Sequence, residues 1–374
     1  MLNRYTAIGA MSYESLIALS QFIALVVLFA AASFLVPRLL NRNTAIRRMG
    51  NESFIVLCMS VVLVVLFTAA GLLVPRFLAI DTFSNLLSQQ AELIVLSIFV
   101  TFLLISGNFD LSVGGVVGLG AVLSAWFCQS QGNEGGMELA RGLGMHYGVA
   151  IALALLCCTA IGAINAFFIT RLKVASIIVT LGTMSLARGI ALIVTHGAQR
   201  NAGLPQVYKK LGAFSLIGPV NASVILMVII VVIALVVEKS TVFGRRTYYI
   251  GANSVAAKLS GIKVDKHISI LYLGSSFVAG LVGVIMGSIH NAGISSLGVG
   301  FEFDVLVIAL LGGTSIFGGF GSVTCAVVGA FILGIVSISL NMLGLSPDIQ
   351  TIAKGSIALI AILAQRLALD AKAA

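Results

Sequence analysis

Long, almost uncharged runs of apolar residues recur along the whole chain and restrict its fold more than any other feature. Asp, Glu, Lys and Arg make up only 9% of the 374 residues, and the mean hydropathy is +1.12. A soluble domain carries about a quarter charged residues, so this chain has too few to cover a water-facing surface. Runs of roughly twenty apolar residues match membrane-spanning helices, whereas barrel strands would alternate polar and apolar residues. The sequence therefore predicts an all-α integral membrane protein.

Short polar breaks divide the chain into eleven candidate spans. Their approximate ranges are 15–36, 54–74, 86–106, 110–128, 147–170, 174–195, 221–238, 268–290, 302–318, 322–343 and 350–367. The first run is long enough to stay as an anchor, so we do not interpret it as a cleaved signal peptide.

An internal repeat sets the first span apart from the others. The segment VVLFAAASFLVPRLL at 26–40 and the segment VVLFTAAGLLVPRFL at 64–78 match at 11 of 15 positions. A local duplication and a shared helix-exit pattern both explain the match, and either makes the first span an addition. We therefore expect an N-terminal extension, 1–51, and a transmembrane domain, 52–374, with a core of about ten spans.

The distribution of basic residues predicts the orientation. Fourteen of the 22 lysines and arginines fall in the segments 37–53, 171–173 and 239–267 and at the C-terminus, and six fall on the opposite side. Cytoplasmic loops collect Lys and Arg, so we place the richer side in the cytoplasm and the chain in a bacterial inner membrane. The same rule explains the net charge of +9. Because no basic and aromatic patch accompanies that charge, we expect no nucleic-acid partner.

Motifs for enzymatic chemistry are absent from the sequence. It contains no GxxxxGK[ST] phosphate loop, no GxSxG and no HExxH. The five cysteines form no CxxC pair and the four histidines lie far apart, a pattern that favours neither disulfides nor metal binding. We expect a chain with no catalytic residue, no metal and no cofactor of its own.

The longest cytoplasmic segment, about 239–267, contains a short amphipathic piece at Ser254–Gly261. Asn253 or Ser254 would cap its start, and Gly261 would end it. Small or apolar residues stand where a surface helix would be charged, namely Ala256, Ala257 and Leu259. Such a patch predicts a docking surface for another protein. A helix lying in the lipid interface is the alternative.

Polar and charged residues inside the apolar spans are candidates for a translocation path. Asp110 would cost about 2.5–3.5 kcal/mol facing lipid at the bilayer centre, so we expect it to face the protein interior or an interface. Its carboxylate would first cap a helix that begins at Leu111. The predicted path residues are Asn108, Asp110, Ser112, Asn165, Thr180, Glu302 and Asp304, and further candidates are Thr183, Arg188, Asn341 and Lys354. Hydrogen bonding between helices is the alternative role for each.

Glycine doublets beside polar residues predict breaks in the helices. The segment GGTSIFGGFGS at 312–322 is the densest of them. We expect it to form a re-entrant turn, which is tolerated only where protein or a water-filled cavity surrounds it.

Four ordered motifs carry a resemblance to a known family. They are SGNFDLSVGGVVGLG at 106–120, GAINAFFITRLKVASIIVTLGTMSLARGIALIVTHG at 162–197, FGRRTYYIGANSVAAKLSGI at 243–262 and GFEFDVLVIALLGGTSIFGGFGSV at 300–323. Over about residues 54–367 the chain resembles the permease subunit of ribose-type ABC sugar importers. The family has GGIDLSVG where this chain has SGNFDLSVG, and it usually has an acidic residue at the position of Val255. That second difference would alter an ionic contact with a partner.

The resemblance implies a type II importer permease that works as a two-fold dimer or beside a similar paralogue. Two cytoplasmic ATP-binding subunits would bind Mg-ATP, and a periplasmic binding protein would deliver a monosaccharide such as ribose, xylose or galactose. The coupling residues would be Gly251, Asn253, Ala256, Ala257, Leu259 and Gly261. The alternative function is an ion-coupled secondary transporter, which would need no ATPase and would hold ion-binding carboxylates at the midplane.

Overall fold

The computed structural model describes residues 13–41, 51–131, 142–213, 215–217 and 220–373. Their helices are α1 (Tyr13–Asn41), α2 (Asn51–Leu73), α3 (Ile80–Ile105), α4 (Val113–Cys128), α5 (Tyr147–Ala166), α6 (Ser176–Thr195), α7 (Gln206–Ala213), α8 (Ala222–Ser240), α9 (Val242–Ala252), α10 (Ser254–Leu259), α11 (Val264–Ile289), α12 (Phe301–Leu311), α13 (Val323–Met342) and α14 (Pro347–Ala373). One π-helical turn, Phe167–Arg171, continues α5, and the short strands β1 (Ser215–Ile217) and β2 (Val220–Asn221) pair antiparallel.

Seven helices of the described ranges are long and apolar enough to cross a membrane: α2, α3, α5 with its π-helical turn, α6, α8, α11 and α13. The apolar part of α1, Ile23–Pro37, and the whole of α4 are shorter. The predicted helical membrane fold is confirmed. The count of about ten core spans stays a prediction.

The short helix α4 lies at the centre of the core. It packs against α5, α6 and α11, and almost all of its side chains are buried. At about 1.5 Å per residue its 16 residues are too short to span the roughly 30 Å of hydrocarbon, so it needs the surrounding helices.

Glycines allow α4 and α11 to approach backbone to backbone. A Cβ atom on Gly283 would overlap the carbonyl oxygen of Val117, and one on Gly120 would lie 2.6 Å from the carbonyl oxygen of Gly280. Close approach through small residues is a principal way for membrane helices to associate. It fixes the position of the polar groups just before α4.

Two breaks interrupt the helical core near one end. The first separates α3 from α4, and the second, at 312–322, separates α12 from α13 where a helix break was predicted. Its re-entrant character stays a prediction. Positive φ angles at Gly313, Gly318 and Gly319 give that turn its shape. Thr314 is buried, so protein surrounds part of this non-helical backbone.

The first helix is joined to the rest of the bundle. It packs against α2 and α14. Pro37 lies within α1, whereas Pro75 of the repeated segment lies beyond the end of α2. The two copies of the repeat therefore end their helices differently. The predicted boundary at residue 51 stays a prediction.

We predict that Gly283→Val lowers the free energy of unfolding by about 1–3 kcal/mol, because the added carbons must push α11 away from α4. Unfolding of the purified protein in mixed micelles measures the change. Gly182→Val is the matched control, since Gly182 lies in α6 with open space around it. Equal stability of the two variants would contradict the close-packing role of Gly283.

Candidate functional site

The buried carboxylate of Asp110 is at the centre of a hydrogen-bond network at the first break. Its Oδ1 accepts hydrogen bonds from the Ser112 N–H at 2.9 Å and from the Ser112 hydroxyl at 2.5 Å. Its Oδ2 accepts one from the Ser275 hydroxyl of α11 at 2.6 Å. All three side chains are buried, so the polar groups satisfy one another away from lipid.

The predicted start of the helix at Leu111 is wrong. Helix α4 begins at Val113, and Ser112 is its N-cap residue. The Asp110 carboxylate bonds to the N–H two residues further on, which is an Asx turn and not a bond to the first helical turn. The turn ends the break and directs the chain into α4.

The network continues from the break into two further helices. The Asn165 side chain of α5 donates from Nδ2 to the Ser112 hydroxyl at 3.0 Å, and the Thr183 hydroxyl of α6 donates to Asn165 Oδ1 at 2.6 Å. Of the predicted path residues, the structure thus brings Asp110, Ser112 and Asn165 together. Their contacts are those of hydrogen bonding between helices, the alternative role considered for them.

Two other predicted path residues bond locally. The buried Thr180 hydroxyl donates to the carbonyl of Ser176 at 2.8 Å, within α6. The half-buried Asn108 donates to the carbonyl of Ser106 at 3.2 Å. Both side chains therefore hydrogen-bond to backbone carbonyls within four residues of themselves.

Glu302 and Asp304, in the first turn of α12, make ion pairs to two different helices. Lys354 Nζ of α14 lies 2.8 Å from Asp304 Oδ2, and Arg188 Nη2 of α6 lies 3.9 Å from Glu302 Oε1. The first distance is that of a hydrogen-bonded pair, and the second is too long for one. The Asp304 pair therefore joins α12 to α14 through a hydrogen bond, whereas the Glu302 pair lies beside α6 without one.

The Arg188–Glu302 pair contains buried polar atoms with no hydrogen-bond partner. They are Glu302 Oε2, Arg188 Nε and Arg188 Nη2. The Glu302 side chain lies against Gly114 at the start of α4, where a Cβ atom would overlap Oε2. Unpaired buried donors and acceptors are costly, so this pair has the capacity to bind a group that offers both. A polyhydroxylated solute is such a group.

The short helix α10, in the segment predicted to be cytoplasmic, has defined ends. Asn253 is its N-cap, with Oδ1 accepting from the N–H of Val255 at 3.1 Å and of Ala256 at 3.0 Å. Gly261 follows it with a φ angle of 83°. The predicted cap and stop are therefore confirmed.

The exposed face of α10 differs from the predicted patch. Leu259 is 85% exposed and Val255 68% exposed, one helical turn apart, whereas Ala257 is buried. Ala256 is exposed beside them. An exposed apolar pair on so small a helix is available to a partner. Ala257 instead packs α10 against the rest of the chain.

Three backbones meet at Gly251, near the end of α9, in what we call the Gly251 junction (Ile105, Gly107, Gly251, Gly318 and Gly319). The Gly319 N–H donates to the Ile105 carbonyl at 2.8 Å. A Cβ atom on Gly251 would overlap that carbonyl oxygen and lie 2.5 Å from Gly319 N. The end of α9 therefore touches both breaks of the core at once.

Two side chains reinforce the junction. The Tyr248 hydroxyl lies 2.7 Å from the carbonyl oxygen of Gly321 and 2.8 Å from Glu238 Oε1. Glu238, at the end of α8, also accepts from the N–H of Val323 at 2.9 Å. These contacts connect α8, α9 and the start of α13.

Several interior polar residues were not among the predictions. Glu92 of α3 accepts a hydrogen bond from the Ser223 hydroxyl at 3.1 Å and so joins α3 to α8. The sequence alone could have identified Glu92, because it is an acidic residue inside an apolar run. Ser275 gave no such signal, because serine is frequent in membrane helices and its partner is distant in sequence.

Comparison with known proteins assigns the family. The family described as "Branched-chain amino acid transport system / permease component" matches residues 82–363, which is most of the chain. The chain belongs to this family. No solved structure matches it.

Alignments with individual relatives cover a similar share of the chain. The chain is 35% identical over 284 residues to the ribose import permease protein of Bacillus subtilis, covering 75% of this chain and 84% of the relative. It is 30% identical over 288 residues to that of Haemophilus influenzae, covering 76% and 85%. It is 32% identical over 275 residues to the L-arabinose transport system permease protein of Escherichia coli, covering 72% and 78%.

These findings confirm the resemblance to ribose-type permeases. The chain is a transport subunit of an ABC import system and not an enzyme. It is a multi-pass protein of the bacterial inner membrane.

We predict that Asp110→Ala destabilises the protein by about 1–3 kcal/mol, because it leaves the Ser112 and Ser275 hydroxyls buried without their acceptor. Unfolding in mixed micelles measures the loss. Asn108→Ala, which removes only local bonds at the same break, is the control and should cost less. A loss for Asp110→Ala no larger than that of the control would contradict the network's structural role.

Proposed function

We propose that the chain forms the translocation path of an ATP-driven importer for a monosaccharide, with ribose, xylose or galactose as representative substrates. The observation that carries the proposal is the Gly251 junction, which joins an exposed apolar cytoplasmic helix to both breaks of the membrane core. The relatives named for ribose and L-arabinose support a sugar as the cargo.

The named relatives support the partners of an ABC importer for this chain. Two cytoplasmic subunits that hydrolyse Mg-ATP would each receive an α10 helix, one from this chain and one from a second copy or a paralogue. A periplasmic sugar-binding protein would release its ligand at the opposite side. The membrane domain would contain about ten spans of the type II importer kind, with α1 added to them.

The coupling residues divide into two groups by their position. Asn253 and Gly261 set the ends of α10, and its exposed side chains would contact the ATPase: Val255, Ala256 and Leu259. Gly251 and Ala257 lie on the inner side and would transmit movement to the core. Because the junction is made of backbone atoms, a displaced α9 must move the breaks with it.

The path itself would pass the Arg188–Glu302 pair. Sugar hydroxyls both donate and accept hydrogen bonds, so they match the orphaned atoms of that pair. The Asp110 network, whose oxygens already accept three hydrogen bonds, would instead hold the walls together.

An ion-coupled transporter is the second candidate function, and reconstituted uptake separates the two. Vesicles that contain this chain and its partner permease should take up sugar only when the ATPase subunits, ATP and the binding protein are present. Uptake driven by an ion gradient without ATPase subunits would contradict the importer.

We predict that Leu259→Asp weakens binding of the ATPase subunit by about tenfold or more, because burying a carboxylate at an apolar contact costs over 1.4 kcal/mol. Co-purification and titration of the ATPase subunit measure this. Leu259→Met, which keeps the contact apolar, is the control. Equal binding by both variants would favour a helix that lies in the lipid interface.

We predict that Gly251→Ala separates ATP hydrolysis from uptake, because its methyl group forces the junction apart while the exposed face of α10 is unchanged. The ratio of ATP hydrolysed to sugar imported in vesicles should rise. The exposed neighbour gives a control, Ala252→Ser, whose ratio should stay at the wild-type value. An unchanged ratio for Gly251→Ala would show that the junction transmits nothing.

We predict that Glu302→Gln lowers sugar uptake about tenfold or more, since a hydrogen bond to a charged group contributes about 1.5–3 kcal/mol. ATPase-subunit binding should not change, because the residue is remote from α10. Asp304→Asn is the control: it removes the charge of the already bonded pair, so uptake per folded protein should be nearly unchanged. The reverse ranking of the two variants would place the path elsewhere.

A further inference from the structure

An apolar groove lies between α3, α8 and α11, and Phe243 at the start of α9 also lines it. Its volume is about 380 Å³. Phe102 of α3, Ile233 of α8 and Ile270 of α11 are among its walls, and among the described lining residues Thr241 is the one polar side chain. The wall residues Ile230 and Val237 lie about 10 Å apart along α8, within the roughly 15 Å of one leaflet's hydrocarbon. The groove therefore has the length and the polarity of a site for part of an acyl chain.

A basic pocket of about 320 Å³ adjoins the groove on the cytoplasmic side. Arg246, Lys263 and Lys266 line it, together with Phe243 and Ile270, which also line the groove. None of the described residues that line it is acidic. The two spaces are thus adjacent, one cationic and one apolar, with Phe243 and Ile270 between them.

The wall between the two spaces is held in place by specific contacts. The ring of Phe243 stacks on that of His267 with centroids 4.1 Å apart. His267 Nε2 lies 2.8 Å from the Thr247 hydroxyl of α9. The neighbouring carboxylate of Asp265 lies 2.6 Å from Lys173 Nζ, so its charge is already paired. These contacts join α9 to α11 where the groove meets the basic pocket.

We propose that this combined site binds one anionic glycerophospholipid, with its phosphate among the three cations and one acyl chain in the groove. Basic pockets beside membrane helices on the cytoplasmic side suit anionic headgroups, which are common in that leaflet. Ile233, one of the groove's walls, is 53% exposed, so the groove opens to the outside of the helix bundle. A water-soluble partner would contact the cations and leave the apolar groove empty.

Lipid titration of the purified full chain in neutral detergent tests the site. Phosphatidylglycerol should bind about tenfold or more tighter than phosphatidylcholine with the same acyl chains, since each basic residue adds to the attraction. The triple variant Arg246→Gln, Lys263→Gln, Lys266→Gln should bind both lipids equally. Ile233→Trp should weaken both, because the larger ring fills the groove.

A second triple variant is the control. It removes three exposed charges from the same segment but outside the pocket, through Lys239→Gln, Arg245→Gln and Lys258→Gln. It should keep the preference for phosphatidylglycerol. Equal binding of the two lipids by the wild type, or a preference that survives the pocket variant, would overturn the proposal. So would full displacement by inorganic phosphate at the lipid's own concentration, which would show a site for a free anion.

Discussion

The proposed coupling would depend on the carbonyl group of Ile105. It ends α3, accepts the Gly319 N–H from the second break at 2.8 Å, and lies against Gly251 where any side chain would overlap it. Backbone contacts of this kind cannot be relieved by a change of rotamer. In the proposed mechanism, a force on α10 would therefore reach both breaks through backbone contacts.

Behind the junction, the interior contains two polar clusters of opposite character. The Asp110 network is saturated: one carboxylate accepts three short hydrogen bonds, and the chain of bonds reaches four helices. The Arg188–Glu302 pair is separated by 3.9 Å and retains orphaned atoms. Saturated networks give rigidity, and unsaturated ones offer binding capacity. The same apolar bundle thus contains a fixed wall and a candidate contact for a polyhydroxylated solute.

The sequence predicted the membrane class, the break at 312–322, and the cap and stop of α10, because hydropathy and glycine or asparagine signals act locally. Contacts between distant segments were not predictable in this way. Ser275 lies 165 residues from its partner Asp110, and nothing local distinguishes it from other serines. The inward face of Ala257 was also missed, since a six-residue helix is too short for its periodicity to define a face. Glu92 was an available signal that was overlooked.

A distance measurement across the Gly251 junction tests rigid coupling most directly. Spin labels at Lys258→Cys on α10 and Phe317→Cys on the second break, both exposed positions, would report on it in the assembled importer after replacement of the native cysteines. A second pair, Lys258→Cys with Leu186→Cys on α6, would report movement relative to the core. Rigid coupling predicts that ATP binding changes the second distance and leaves the first unchanged. A first distance that changes as much as the second would contradict it.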